Sequence, residues 1–286
     1  MGKIIISVFL LLALSLYAVA TTDAVEFFNR EEYQEVSLKK GKIAYWQKGS
    51  GKDLLLIHGF GASGFSFRNN IDDLAKHFRV WVIDLIGFGL SEKPQESSVY
   101  SHLNQAKTIL EFMDYHKIKT THLVGHSMGG RIAWFIKAFY PERVNQVVLL
   151  GPVLSAQGRE ISGFFNNVGA YLIKQKWVWR SLLRGQVANP AMVNEEMIDG
   201  YRYPFTQGDV ASWLKVMGNV PIEELPPIGS ENVFALIGEK DKLTIESEAI
   251  LDNLDVAIYL IPKCGHLLNE EKPEVINKLI INLLSK

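Results

Sequence analysis

The chain has a single cysteine, Cys264, among its 286 residues. An internal disulfide is therefore excluded, and stability must come from a buried core, which a chain of this length at 48% hydrophobic composition can supply. A lone cysteine of this kind reads as a small core hydrophobe before it reads as a thiol nucleophile. No block of Lys or Arg occurs, and 30 basic residues stand against 31 acidic ones. The overall footprint of a nucleic-acid binder, or of a protein held to an anionic membrane by charge, is therefore missing. No Asn opens an N-x-Ser/Thr sequence, which removes N-linked glycosylation. Internal repeats and low-complexity tracts are absent, and the composition is that of a folded chain.

Long uncharged apolar runs are equally scarce. The one that stands out follows Lys3, extends from Ile4 to Val19 and ends in the small-x-small sequence Ala18-Val19-Ala20. It reads as a secretory signal, residues 1–20, cleaved after Ala20. An uncleaved N-terminal anchor is the alternative, because the run is near the lower limit for crossing a bilayer. Both readings export the body of the protein (secreted, periplasmic or lumenal), and fold reasoning starts near Thr21.

What is present beyond the leader is an alternation of short branched-apolar runs with longer segments of helical period, the pattern of a parallel sheet covered by helices. Strands are expected near 35–39, 42–47, 53–58, 79–84, 121–125, 146–150, 232–238 and 256–261. Helices are expected near 69–77, 101–117, 128–140, 243–253 and 272–284. Lys40-Gly41 signals a hairpin, so an antiparallel start precedes the parallel part. From Pro152 to Gly229 no buried strand is legible, and an interval so long is too large for a loop in a compact domain. It is expected to be a helical cap, residues 152–229, inserted into a core formed by 21–151 and 230–286, with Pro226-Pro227 as the return. Its aromatics, among them Phe164, Phe165, Trp177, Trp179, Tyr201, Tyr203 and Trp213, fit either a pocket wall or the packing of cap on body.

The chemistry centres on "THLVGHSMGGRIAW", residues 121–134. Gly125-His126-Ser127-Met128-Gly129 matches G-x-S-x-G between an apolar run and an amphipathic one, the strand-turn-helix context in which a serine hydroxyl is exposed at a sheet edge. Serine is a poor nucleophile without a base and an acid that orients the base. "NVFALIGEKDKLT" offers Asp241 after the penultimate strand, with Glu239 as its nearest rival, and "PKCGHLLNEEKPE" offers His266 after the last. All three fall on loops at the carboxyl edge, where open sheets of this kind bind ligands. An oxyanion requires donors already in place; the turn His58-Gly59-Phe60-Gly61 can aim the Phe60 N–H at Ser127, and the Met128 N–H can be the second donor. His58 itself reads as a turn-stabilising residue. His122 and His126 do not converge on a strand and turn, and His77, His102 and His116 fall on or beside helices, so no metal site is expected.

His58-Gly59-Phe60-Gly61, "DLIGFGLSEKP" from Asp84, the Ser127 elbow, "GEKD" ending at Asp241 and "GHLLNEEKPE" from His266 together resemble the α/β-hydrolase family, in its cap-bearing serine branch. The resemblance runs from about Val36 to the C-terminus and is weakest across 152–229. It implies an α/β fold, an eight-stranded mostly parallel sheet with flanking helices and an inserted helical cap. It also implies a Ser127 nucleophile, a His266 base, an Asp241 acid, an oxyanion hole of the Phe60 and Met128 amides, and no cofactor. Ile86 departs from the family's usual Pro or Arg, and Cys264 from its usual small residue. Asp84 is expected to bind amides of its own glycine-rich turn. Relatives that open epoxides or displace halide carry a carboxylate at the elbow, so Ser127 argues against both reactions. Carbon–carbon hydrolases of the family often carry Asn before the serine and Trp after the base, where this chain has His126 and Leu267. The expected function is hydrolysis of a carboxylic ester of a small or medium apolar acyl substrate through an acyl-enzyme. Carbon–carbon cleavage, acyl transfer or perhydrolysis, and ligand sensing remain as alternatives.

Overall fold

The structure is a computed structural model that describes residues 26–28, 33–155 and 167–285. The apolar run 4–19 with its cleavage site, and Phe164 and Phe165, lie outside the described residues. Eight strands form one sheet in the order β1-β2-β4-β3-β5-β6-β7-β8. They are β1 (Tyr33–Leu38), β2 (Gly41–Lys48), β3 (Asp53–Ile57), β4 (Arg79–Ile83), β5 (Thr121–His126), β6 (Val144–Leu150), β7 (Val233–Gly238) and β8 (Ala257–Ile261). The pairs β1–β2 and β2–β4 are antiparallel and all later pairs are parallel. The antiparallel start is as expected, although Leu38 pairs with Gly41, so the turn itself is Lys39-Lys40.

The inner parallel strands read as near-continuous apolar runs because both faces are covered, whereas the edge strand β8 is mostly exposed. Leu54, Leu55, Leu56, Ile57, Leu123, Val124, Val148, Leu149 and Leu236 are completely buried. Each such side chain contributes about 1.5–3 kcal/mol over its exposed state. Helices α1 (Ile71–Leu74), α2 (His102–Tyr115), α3 (Met128–Phe139), α8 (Ile245–Asn253), α9 (Leu268–Glu271) and α10 (Pro273–Leu284) belong to this body.

Helix α1 is shorter than the expected 69–77: after Leu74 the chain tightens into three-residue turns, with the Lys76 N–H on the Asp73 carbonyl at 3.3 Å and the His77 N–H on the Leu74 carbonyl at 3.0 Å, and a separate 3-10 turn, Gly64–Phe67, precedes it. Helix α2 stops at Tyr115 because Lys117 takes a positive φ of 57°, which no continuing helix tolerates. Between β6 and β7 the chain forms α4 (Asn167–Ile173), α5 (Lys176–Gln186), α6 (Glu195–Thr206) and α7 (Val210–Met217) and, among the described residues, no strand. Pro204 lies inside α6, within its last turn.

Candidate active site

Strand β5 is buried along its whole length and delivers Ser127 to the start of α3. Ser127 has φ 54° and ψ −116°, a conformation that costs a side-chain-bearing residue about 1–3 kcal/mol. The flanking glycines explain why the strain persists. A Cβ on Gly125 would lie 2.3 Å from the Gly129 carbonyl oxygen, and one on Gly129 would lie 2.2 Å from that of Ile57. Helix α3 therefore starts hard against β3 and β5, and the serine is the residue forced to turn. Its N–H donates to the Leu150 carbonyl at 2.9 Å, and its own carbonyl accepts from the Gly130 N–H at 3.0 Å. Both ends of the turn are tied to regular structure.

Asp241 and His266 arrive on separate loops, after β7 and β8, and meet. The His266 Nδ1 lies 2.8 Å from Asp241 Oδ2, and Asp241 Oδ1 accepts from the Leu243 N–H at 2.9 Å. Both side chains are buried. With the carboxylate oxygen as acceptor, Nδ1 is the donor of this hydrogen bond, and Nε2 is the ring nitrogen left outside it. Gly151, at the end of β6 with φ +49°, makes room for the pair: a Cβ there would lie 3.1 Å from Asp241 Oδ2 and 3.3 Å from His266 Nδ1. Glu239, the rival acid, is an exposed residue that accepts from the Lys263 N–H at 3.0 Å.

The turn that carries Phe60 presses on the elbow. A Cβ on Gly59 would lie 3.1 Å from the Ser127 Cβ, and the turn is closed by the Ala62 N–H donating to the Gly59 carbonyl at 3.2 Å. Met128 opens α3, so its N–H is one of the first-turn donors that a helix leaves without an internal partner. His58 accepts from the Leu85 N–H on Nε2 at 3.0 Å, which leaves Nδ1–H to donate to the Gly59 carbonyl at 2.8 Å. It is completely buried, and burial pushes its pKa down, so it holds the turn as a neutral ring. Asp84 accepts from the Leu90 N–H of its own turn at 2.7 Å, and also from the Gly64 N–H at 2.7 Å and the Tyr33 hydroxyl at 2.6 Å. Its role thus reaches beyond its own loop and stitches three segments together. The Cys264 thiol is completely buried, and burial pushes its pKa up to about 12.

Two contacts had no legible signal in the sequence. His126 donates from Nε2 to the His266 carbonyl at 2.9 Å, with the two rings 4.9 Å apart, and so joins the Ser127 turn to the loop of His266 across 140 positions. Burial pushes its pKa down to about 3, which keeps it neutral. On the other side, the His266 N–H donates to the carbonyl of Gln186, the last residue of α5, at 2.7 Å. Glu271 repeats this link by accepting from the Gly265 N–H at 2.8 Å and the Ala188 N–H at 2.7 Å.

The inserted helices also bring aromatic rings to the Phe60 turn. Phe60, 52% exposed, lies 5.7 Å from Phe88 and 6.2 Å from Trp213 between ring centres. Phe205 adds to the group at 5.2 Å from Trp213, and Trp179 at 5.0 Å from Phe205. Tyr201 is buried against Phe65, whereas Trp177, placed with these residues on sequence grounds, points outward.

Residues 53–197 match the family model for the alpha/beta hydrolase fold. An uncharacterised hydrolase of Bacillus subtilis, YugF, is 30% identical over 256 residues, which cover 84% of this chain and 92% of that one. The 2-hydroxy-6-oxo-6-phenylhexa-2,4-dienoate hydrolase of Burkholderia cepacia is 25% identical over 278 residues, or 88% of this chain and 94% of its own. Among solved structures, a bacterial membrane phospholipase A superposes with a TM-score of 0.73 at 26% identity, covering all of this chain and 98% of that one.

Proposed function

The chain belongs to the α/β-hydrolase family, and from its place there we propose that it cleaves carboxylic esters as a serine hydrolase. The observation that carries this reading is a strained serine in the turn between β5 and α3, together with a buried His266–Asp241 hydrogen bond of 2.8 Å on the loops after β8 and β7. In the proposed reaction Ser127 Oγ attacks the acyl carbonyl while His266 Nε2 takes its proton. Asp241 holds the imidazole in the Nδ1–H form and stabilises the imidazolium. The amides of Phe60 and Met128 receive the oxyanion, and His266 returns the proton to the leaving alkoxide. Water, activated by the same base, then releases the acid from the acyl-enzyme.

The aromatic group of Phe60, Phe88, Phe205 and Trp213 supports an apolar acyl portion of small or medium size. In this reading α4–α7 are a cap, residues 152–229, over the carboxyl edge, and the leader exports the protein either as a cleaved signal or as an anchor. The relative named as a membrane phospholipase A supports an ester as the scissile group. The relatives named as dienoate hydrolases keep carbon–carbon cleavage as the second reading. His126 and Leu267, at the positions beside the serine and the base, weigh against it.

Hydrolysis of p-nitrophenyl acetate, butyrate and octanoate, beside 2-hydroxy-6-oxo-6-phenylhexa-2,4-dienoate, tests the choice. Turnover of the esters with little or none of the dienoate is expected. Preference for the dienoate would overturn the ester assignment while leaving the family intact.

A further inference from the structure

Apolar side chains that no core covers gather on the first two inserted helices. Val168 and Tyr171 of α4 are 61% and 66% exposed, and Trp177 and Leu182 of α5 are 60% and 46% exposed. The two helices meet in the turn Lys174-Gln175. It is closed by the Lys174 N–H on the Tyr171 carbonyl at 3.2 Å and the Gln175 N–H on the Leu172 carbonyl at 2.9 Å, so Tyr171 and Trp177 flank one corner. On α5 the buried side belongs to Trp179 and Leu183, while Trp177, Ser181 and Leu182 face outward.

Charge on this segment departs from that of the chain. Between Asn167 and Asn194 there are four basic residues, Lys174, Lys176, Arg180 and Arg184, and no acidic one. Lys176 and Arg180 are engaged by Glu195 and Asp199 of α6. Lys174 and Arg184 make no ion pair among the described residues. The whole-chain balance, which argued against a charge-held membrane protein, averages over this local excess.

We propose that the α4–α5 corner docks on an anionic lipid bilayer. Trp and Tyr beside Lys and Arg are the side chains that settle at the boundary of headgroups and acyl chains, and here Lys174 and Arg184 are the cations left outside the ion pairs that Glu195 and Asp199 make with Lys176 and Arg180. A second copy of the chain fits less well. A two-fold contact places each patch against itself and brings Lys174 and Arg184 toward their own copies, where like charges repel. Docked in this way, the outer face of α5 rests on lipid while its inner face and end touch the site. Trp179 lies 5.0 Å from Phe205, and the Gln186 carbonyl holds the His266 N–H at 2.7 Å. Only the thickness of one helix, about 10 Å, separates the surface from the loops of the site. Esters already held in a bilayer are thus the accessible substrate class. The docking itself does not depend on the assignment of Ser127.

The test uses the full chain with Trp177→Cys carrying an environment-sensitive fluorophore, and Lys278→Cys on α10 carrying the same label as control. Cys264 does not compete, since it is buried with its thiol pKa pushed up to about 12. On phosphatidylcholine vesicles containing phosphatidylserine, the label at 177 is expected to shift to the blue and to be quenched by a lipid-borne quencher. The label at 278 is expected to do neither, however the leader engages the vesicle. Lys174→Glu and Arg184→Glu, made on the labelled Trp177→Cys chain, are each expected to weaken the vesicle-dependent signal at 177 by about fivefold or more. A label at 177 that stays water-exposed on these vesicles overturns the proposal. So does a blue shift that follows protein concentration without lipid and accompanies a doubling of molecular size, which would assign the face to a second copy.

Discussion

The sheet and helices α4–α7 share one buried apolar core, but only the sheet's backbone is packed directly against the Ser127 turn, and this contrast bears on how the proposed chemistry is positioned. Strands β3, β5 and β6 are sealed on both faces by aliphatic side chains, and the elbow at Ser127 is imposed by backbone contacts so close that Gly125 and Gly129 admit no Cβ. Helices α4–α7 reach the body through apolar contacts, such as Tyr201 on Phe65 and Trp213 on Phe60 and Phe88, and through a set of polar links. Gln186 and Ala188 hold the loop of His266, and Arg68 donates to both Glu270 of the body at 2.6 Å and Glu196 of α6 at 2.9 Å. Arg131 on α3 donates to the carbonyls of Leu154 and Glu223, the two flanks of the insertion. The sheet thus fixes the Ser127 turn through backbone contacts, whereas α4–α7 bear on the proposed site through side chains and through the loop of His266.

The largest expected effect comes from the sheet side. Asp241→Asn keeps the size of the side chain but favours the wrong imidazole tautomer, so kcat for a short acyl ester should fall by about 10⁴-fold with the fold unchanged by circular dichroism. A fall of less than tenfold would mean that another group orients His266. On the seam between the two regions, Arg68→Ala leaves the buried Glu270 without its cation and should destabilise the protein by about 3–5 kcal/mol in urea unfolding. Arg68→Ala with Glu270→Gln should recover part of that loss. No recovery would show that the seat of the Arg68 guanidinium on the Phe65 ring, 4.0 Å from its centre, rather than its pairing with Glu270, holds the seam.

Within the sheet, His122 is buried with neither ring nitrogen hydrogen-bonded, and burial pushes its pKa down from 6.5 to about 4. In the unfolded chain it takes up a proton below about pH 6.5, whereas the folded chain refuses one until about pH 4. Its contribution to stability is therefore intact above pH 6.5 and is lost as pH falls toward 4. His122→Phe should flatten that acid loss by roughly 1–3 kcal/mol, read from urea midpoints at several pH values. An unchanged pH slope would place the acid-sensitive group elsewhere, with His126 the next candidate. The smallest effect belongs to Glu239→Gln: its carboxylate is engaged at the surface by Lys263, so activity should stay within about twofold, against the loss of about 10⁴ for Asp241→Asn.

The same contrast governs what could be read in advance. All eight strands were legible: the inner ones because strands buried on both faces must be written as apolar runs, and "VVLL" or "LLLI" has few other uses; the largely exposed edge strands β1 and β8 through the Lys40-Gly41 hairpin signal and the branched-apolar run "VAIYLI". The elbow was legible because two glycines about a serine answer a steric demand set within a few residues. Asp241 and His266 could be named because each follows a strand at the edge where such sheets bind ligands. The contact of His126 with the His266 carbonyl was not legible, since a hydrogen bond across 140 positions leaves no periodicity. Gly151 went unmarked for the same reason: the side chains it makes room for come from the loops after β7 and β8. The insertion was visible only as an interval without strands, because amphipathic helices tell their apolar face but not the surface that receives it. Trp177 shows the limit, as its neighbour Trp179 is buried while it is exposed.

The most direct test of the account is a covalent one. Incubation with an activated fluorophosphonate, followed by intact-mass and peptide mass spectrometry, should give a single adduct on Ser127, loss of esterase activity in proportion to labelling, and no adduct in Ser127→Ala. Ester hydrolysis that persists in the fully labelled protein, or an adduct that forms on another residue and abolishes activity, would contradict the assignment of Ser127 as the nucleophile.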